Sequence, residues 1–324
     1  AELGLKTEAE KDGCVFPVSR RAGDVRDSLV KHAKKLGVNF LYGRPVESIE
    51  KKSSNFIVKT CGKQILSQKV IIATGGLSWP KTGSTGDGYR FARRLDHEII
   101  EPRPSLVPLV SHEKWPSQIA GTALDNVSIA TVINKKTITT TGNLVFTQDG
   151  IGGSAAQDMS RYLTDYLPAK TPIDIVIDLK PNLEQSELDR KLTEIISANP
   201  KKKSINLLSD FLPRRLCAIL YKQVNSNAEL PAGQLRKEIR KRLVESIKKL
   251  RLSIIRTRPI AEATVTRGGL DITRIEPQTM ESLICPGLYF AGEILDVDGP
   301  CGGYSLQICF STGALAGSSA ANKK

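Results

Sequence analysis

The chain is poor in the residues that metal centres, disulfide scaffolds and membrane spans require. Its three histidines, His32, His97 and His112, stand far apart, which excludes a histidine-rich metal site. Its six cysteines (Cys14, Cys61, Cys217, Cys285, Cys301, Cys309) are scattered, with no C-x-x-C pair. That spacing argues against a structural zinc, a disulfide framework and a thioredoxin-like redox couple. No apolar run approaches the length of a membrane span. Residues 1–12 are polar and acidic, without the basic-then-apolar layout of a signal peptide, so the expected compartment is the cytoplasm. Also lacking is a G-x-G-x-x-G turn ahead of the first strand-like run, which comes only after residue 36.

A length of 324 residues suffices for two domains with cores of their own, and 40% apolar with 25% charged residues is a globular composition. The net charge is +13, and about +11 of it falls between Lys180 and Arg258. No aromatic residues interleave those basic runs, and no zinc-finger, RRM or KH signature accompanies them. The expectation is therefore a solvated basic helical surface, with nucleic acid an unlikely partner and an acidic partner or membrane surface left open.

Apolar spacing predicts a helix over Asp24–Leu36, a strand at Val38–Tyr42, a short extended piece from Val46, and a hairpin of Phe56–Thr60 with Gln64–Leu66. Prolines between Pro102 and Pro108 mark a domain exit. Beyond them, Leu106–Val110, Val127–Ile133, Leu144–Thr147 and Ile173–Leu179 read as antiparallel sheet or barrel strands, with turns at Asn134-Lys135 and Gly142-Asn143. Helices follow over Leu183–Ala198, Ile205–Val224 and Leu235–Leu250. The predicted organisation is a discontinuous first domain (1–104 and 262–324) and an inserted domain (105–261), β-rich over 105–180 and helical over 181–258.

Two stretches carry chemistry. In the first, an apolar strand at Lys69–Ile72 runs into Ala73, Thr74, Gly75 and Gly76, the layout of a parallel strand whose C-terminal end meets a ligand. Its continuation, Ser78 to Tyr89, offers N-cap chemistry at Thr85-Gly86-Asp87 for a short helix. In the second, the strand Leu288–Ala291 is broken by Gly292-Glu293. An acidic turn with Asp296 and Asp298 follows, then Gly302-Gly303-Tyr304-Ser305-Leu306 opens a helix running to Gly317. Glycines just before a helix start let a flat or anionic ligand approach outward-pointing amides. Cys301, inside this loop, reads as a small filler.

These two strings, Gly287–Gly317 above all, closely resemble the HI0933-like flavoprotein family, also described as NAD(P)/FAD-dependent oxidoreductases. The matching residues are Gly287 to Glu293, Leu295-Asp296, Asp298-Gly299, Gly302-Gly303-Tyr304, Leu306-Gln307 and Gly313, with Ser305 where the family usually has Asn. Gly142–Gly153 and Ala261–Gly269 resemble further family stretches. The resemblance implies an FAD-binding Rossmann-like parallel-sheet domain with an inserted antiparallel β-barrel-plus-helices domain, an α/β fold overall. It implies FAD as cofactor, NAD(P)H as electron donor and a small-molecule substrate. It puts Gly292 and Glu293 on the ribityl and phosphate side of the flavin and the backbone of Gly302, Gly303, Tyr304, Ser305 and Leu306 at the ring. Ala73, Thr74 and Gly75 lie alongside, and Val46 runs along the adenine. No catalytic acid or base is identified; Arg267 and Tyr304 are the only candidates. Against the family pattern the chain starts late, which implies a preceding pyrophosphate-binding fragment. Two alternatives stay open beside the enzyme: a truncated, non-catalytic remnant or binding module whose basic inserted domain engages an acidic partner, and a flavoenzyme assembled from two polypeptides.

Overall fold

The computed structural model describes residues 3–10, 13–167 and 171–322. Its contacts group into two units, Ala1–Gly76 with Thr85–Glu101 and Gly268–Lys324, and Leu77–Ser84 with Pro102–Arg267.

The first unit opens on an antiparallel pair, β1 (Thr7–Ala9) and β2 (Val15–Pro17), followed by helix α1 (Ala22–Lys35). The predicted helix is there, but none of its residues is buried. Val25 and Leu29 instead line an open apolar groove with Leu5 and Phe310. The predicted strand Val38–Tyr42 does not form. No ladder pairs with it among the described residues, and a strand without a neighbour leaves its main-chain groups unbonded. The segment is turn and coil, in which the rings of Phe40 and Tyr42 stack at 5.7 Å.

Strands β3 (Val46–Lys52), β4 (Asn55–Thr60) and β5 (Lys63–Ser67) make an antiparallel sheet in that order. The hairpin turns at Cys61-Gly62 as predicted, with Gly62 at φ 72°. Next come β6 (Val70–Ile72) and α2 (Asp87–Arg94). The cap of α2 is Gly86 in the left-handed region (φ 81°) rather than a side-chain cap.

The chain then follows β7 (Ile99–Ser105) into the second unit, whose core is a barrel. Its strands are β8 (Leu109–Ser111), β9 (Ala123–Ile133), β10 (Lys136–Phe146), β11 (Gly150–Gly152), β12 (Ile173–Asp178) and β13 (Leu250–Thr257). They close in the order β10-β11-β8-β13-β12-β9, with every ladder antiparallel. Asn134 and Lys135 turn the β9–β10 hairpin with φ of 49° and 64°, the geometry a two-residue loop needs to match strand twist. The turn expected at Gly142-Asn143 is instead a bulge inside β10, where the register shifts and the Asn143 amide donates to Ser154 Oγ at 2.9 Å.

Helix α3 (Ser154–Leu163) buries Ala155, Ala156, Met159 and Leu163 against the barrel strands. The helical segment is α4 (Gln185–Ala198), α5 (Ser204–Leu208), α6 (Arg214–Gln223) and α7 (Lys237–Lys248). The single helix predicted over Ile205–Val224 is two, because Pro213 disfavours helical backbone at the residue before it and supplies no amide. One cluster, from Leu109 to Ile254, fills barrel and helices together.

β14 (Val265–Leu270), which belongs to the first unit from Gly268 on, pairs with β7, and within that unit β15 (Leu288–Phe290) leads to α8 (Tyr304–Ala321). Beside β15, the His97 ring meets Phe290 edge-on at 5.0 Å and its Nε2 lies 2.9 Å from Ser282 Oγ. That oxygen already accepts the amides of Ile284 and Cys285, so its proton goes to Nε2 and the imidazole is neutral. Burial pushes the pKa of His97 below the ordinary 6.5. A depressed histidine makes the unfolded chain the better proton acceptor, so stability is full above pH 6.5 and falls as the pH drops below it. The expected loss in urea titrations of the wild type, relative to His97→Gln, is at most about 1.4 kcal/mol per pH unit. Parallel curves for the two proteins between pH 7 and 5 would contradict the assignment.

Candidate functional site

The two glycine-broken strands are neighbours. β6 and β15 pair in parallel with Val70 opposite Leu288, Ile71 opposite Tyr289 and Ile72 opposite Phe290. The ladder ends with the Ala291 amide donating to the Ile72 carbonyl at 3.1 Å. Ala73, Thr74 and Gly75 (φ 75°) therefore leave the sheet beside Gly292 (φ 79°) and Glu293, on the C-terminal edge where parallel sheets bind ligands.

Helix α8 runs antiparallel to these strands. Lys69 Nζ, at the start of β6, donates to the Asn322 carbonyl at the helix end, while the Gly292 amide donates to Thr312 Oγ1 at 2.9 Å. From Thr312 back to Gly303 the helix advances about 13 Å further along the direction in which the strands point. Its N-terminus thus lies on the same side as Gly75 and Glu293. Gly303 caps it at φ 88°, and a side chain there would meet open space. The amides of Tyr304, Ser305 and Leu306 belong to the first turn, which has no acceptors within its own helix. Tyr304 and Leu306 are exposed, whereas Ser305 Oγ is buried with no hydrogen-bond partner among the described residues. The Cys14 thiol sits 3.6 Å from the Gly302 carbonyl. The Cys309 thiol faces Gly292, and burial and then the charge of Glu293 hold its pKa up, so it is no ready nucleophile.

Helix α2 packs beneath. Gly88 is buried where an added Cβ would lie 2.1 Å from Thr74 Oγ1 and 2.5 Å from Ile294 Cδ1, so only glycine lets α2 come this close. The next residue was not singled out as a site residue by its sequence. The Tyr89 hydroxyl is buried without a partner among the described residues, and burial, then Glu293 and Asp296, push its pKa up. Asp296 is itself held by the Gly268 amide at 2.9 Å. Val46 opens β3 in the separate antiparallel sheet. The link there is Arg90 of α2, which donates to the adjacent Glu47 carbonyl at 2.8 Å.

An orphaned hydroxyl stores unfavourable energy. Tyr89→Phe is therefore expected to leave the chain as stable as before, or more stable by about 1 kcal/mol, in chemical unfolding. A loss of stability would mean that the hydroxyl has a partner.

In the second unit, Arg267 forms an ion pair with Asp165 at 3.0 Å and donates to the Arg161 carbonyl at 3.1 Å. Thr266 Oγ1 accepts the amides of Leu77 and Ser78 at 2.8 and 3.0 Å. These two contacts make Arg267 an anchor within the second unit. Among the described residues no cluster of His, Cys, Asp or Glu is arranged to hold a metal, and no helix is long and apolar enough to cross a membrane.

The chain is similar to known proteins along nearly its whole length. Residues 1–319 match the HI0933-like protein Rossmann domain. The chain is 29% identical to the 3-dehydro-bile acid delta(4,6)-reductase of Clostridium scindens, over all of this chain and 79% of that protein. It is 31% identical to the ribosomal RNA dihydrouridine synthase of Escherichia coli, over 90% of this chain and 70% of that one. With the enzyme of the same name from Haemophilus influenzae the identity is 30%, over 96% and 76%. With a parallel pair, a glycine-capped helix and a matching profile along nearly its whole length, the chain belongs to the HI0933-like family.

Proposed function

We propose that the chain is an FAD-dependent oxidoreductase that adds hydrogen across a carbon–carbon double bond conjugated to a carbonyl. The observation that carries the reading is the shared C-terminal edge of β6 and β15, with the N-terminus of α8 on the same side. Family membership supports the flavin, and the relatives support the bond type. One relative is named for reducing delta(4,6) bonds of a bile acid, the other for making dihydrouridine in ribosomal RNA. The substrate classes this brings forward are a polycyclic enone and a uridine within RNA.

The residues present fit a flavin. Two buried hydroxyls, Tyr89 and Ser305, lack partners among the described residues, and a ligand oxygen or ring nitrogen would supply them. In this reading Gly292 and Glu293 hold the ribityl and phosphate side, and Ala73, Thr74 and Gly75 flank the ring. Val46 keeps its proposed place along the adenine. The first-turn amides from Gly303 through Tyr304 and Ser305 to Leu306, at the positive end of α8, stabilise negative charge that develops beside them. Bound FAD supplies hydride transfer, with NAD(P)H as the proposed source of electrons. Burial, and then the charges of Glu293 and Asp296, raise the phenol pKa of Tyr89 and so keep it a hydrogen-bond donor.

The experiment is reconstitution of the purified chain with FAD, followed at about 450 nm, the oxidised-flavin band. Saturable yellow colour is expected, and Tyr89→Phe should weaken FAD binding about tenfold. A chain that stays colourless at every FAD concentration ends the proposal.

A further inference from the structure

The charge of this protein is segregated within the second unit. Residues 102–200 hold nine Lys or Arg against eleven Asp or Glu, whereas residues 201–267 hold seventeen against five. Ten of those seventeen fall into two sets by role. Arg240 makes two bonds to Asp189, Lys248 reaches Asp178 at 2.6 Å, Arg258 meets Asp149 and Glu262, and Lys203 meets Glu229. These cations fasten the helices to the barrel and to each other.

A second set faces solvent. On α7 the apolar stripe Leu243, Val244 and Ile247 is buried in the core, which turns Lys237, Lys241 and Arg242 outward, with Lys249 just past the helix end. The tract ahead of α5 joins them. The Ala232 amide donates to the Lys202 carbonyl and the Gly233 amide to the Pro200 carbonyl. Lys201 and Lys202 are thereby tied to the segment leading into α7. All six side chains are exposed, and none has a carboxylate within ion-pairing distance among the described residues. Glu238 and Glu245 share the helix face and reduce its excess without cancelling it.

We propose that this face, Lys201-Lys202 with the outer side of α7, docks the phosphate backbone of RNA. Lys237 and Lys241 also act on Asp189 through space, but cations that are not held in ion pairs release counterions from a polyanion on contact, which drives association. No aromatic residue lies between 225 and 260, so the face has no stacking platform for bases and would position a strand without reading it. An anionic bilayer is the poorer match, because the apolar side of α7 is sealed in the core and nothing remains to insert. RNA is favoured over DNA through the proposed chemistry, on which this one step rests: the base with an unsubstituted double bond conjugated to a carbonyl is uracil. Of the two substrate classes, docking then selects the uridine.

The test is fluorescence anisotropy of the full chain with a labelled uridine-rich single strand about 30 nucleotides long, across about 50–200 mM KCl. Six phosphate contacts predict a log–log salt slope of about −4. The variant K237A/K241A/R242A/K249A should flatten the slope by about 3 and weaken binding on the order of 100-fold at about 0.1 M salt. Alanine preserves the helix. A control with the same charge change in the first unit, K31A/K34A/K35A/K52A, should bind as the wild type does. The inference is overturned if the α7 variant retains affinity or the control loses as much. It is also overturned if duplex DNA, polyglutamate or phosphatidylserine vesicles bind as tightly as the RNA. FAD colour measured on the same samples separates the two readings. A yellow chain that ignores RNA defeats only the docking surface, and a colourless chain that binds RNA defeats only the flavin enzyme.

Discussion

Valine in place of Gly88 is expected to cost the first unit about 3 kcal/mol or more and to abolish the FAD binding proposed for it. The Cβ alone would sit 2.1 Å from Thr74 Oγ1, 2.5 Å from Ile294 Cδ1 and 3.2 Å from Ile72 Cγ2. The isoleucine methyl groups have some freedom to swing aside. Thr74 has little, because its side chain is short and its backbone follows directly from the β6–β15 ladder. The cheapest escape is for α2 to lift away, which drags Tyr89 from Glu293 and Asp296. Gly88→Ala should fall between wild type and valine in both melting temperature and flavin retention. A valine variant that melts within a degree or two of the wild type would show that the contact is not built as described.

The second large effect is expected in the barrel. A Cβ on Gly150 would lie 2.1 Å from the Leu109 carbonyl oxygen, 2.9 Å from the Ser111 amide and 3.0 Å from the Leu109 carbonyl carbon. All three are main-chain atoms, so no rotamer change relieves the clash, and β11 and β8 must separate where Gly150 opposes Val110. Opening that ladder exposes a barrel edge and loosens Phe146 and Ile151, both fully buried. Gly150→Ala should therefore destabilise the second unit by about 4 kcal/mol or more, beyond the range of ordinary substitutions. Urea unfolding monitored by the tryptophans would report it, since Trp115 packs on Phe146 at 5.4 Å. A midpoint unchanged from wild type would contradict it.

Local pattern carried much of this fold. The apolar strings that end in Ala73-Thr74-Gly75 and Ala291-Gly292-Glu293 are strands cut off by glycine in the structure too, and alternation located β8, β9, β12 and the end of β10; β11 is too short to show a period, and β13 (Leu250–Thr257) lies in the stretch read as helical because its alternation follows directly on the stripe of α7. What it did not reveal was partnership. Val38–Tyr42 has strand composition, but no neighbouring strand supplies a ladder. The stripe of α1 has helical spacing yet faces an open groove. The break at Pro213 was written in the chain and outweighed by the apolar period on either side of it. Gly142-Asn143 has turn chemistry, and the barrel uses it as a bulge because β9 continues alongside.

The same limit applies to the site. Glycines before a helix can be seen in a sequence, and so can the acidic loop. That the Tyr89 hydroxyl is buried beside two carboxylates without a partner among the described residues depends on where α2 settles. The sorting of basic residues into fasteners and an outward face likewise needed the carboxylates of α4 and β12 in position.

One property of the barrel has a temporal side. β13 lies between β8 and β12 and makes both of their ladders, yet it is the last barrel strand in the chain. As the protein leaves the ribosome, five staves and the helices α4 to α7 emerge before the stave that joins them. Closure therefore waits for Thr257 to clear the exit tunnel, and until then two unsatisfied strand edges flank the gap. During that interval the open edges are exposed to mispairing, and synthesis slowed just upstream of residue 250 would lengthen it.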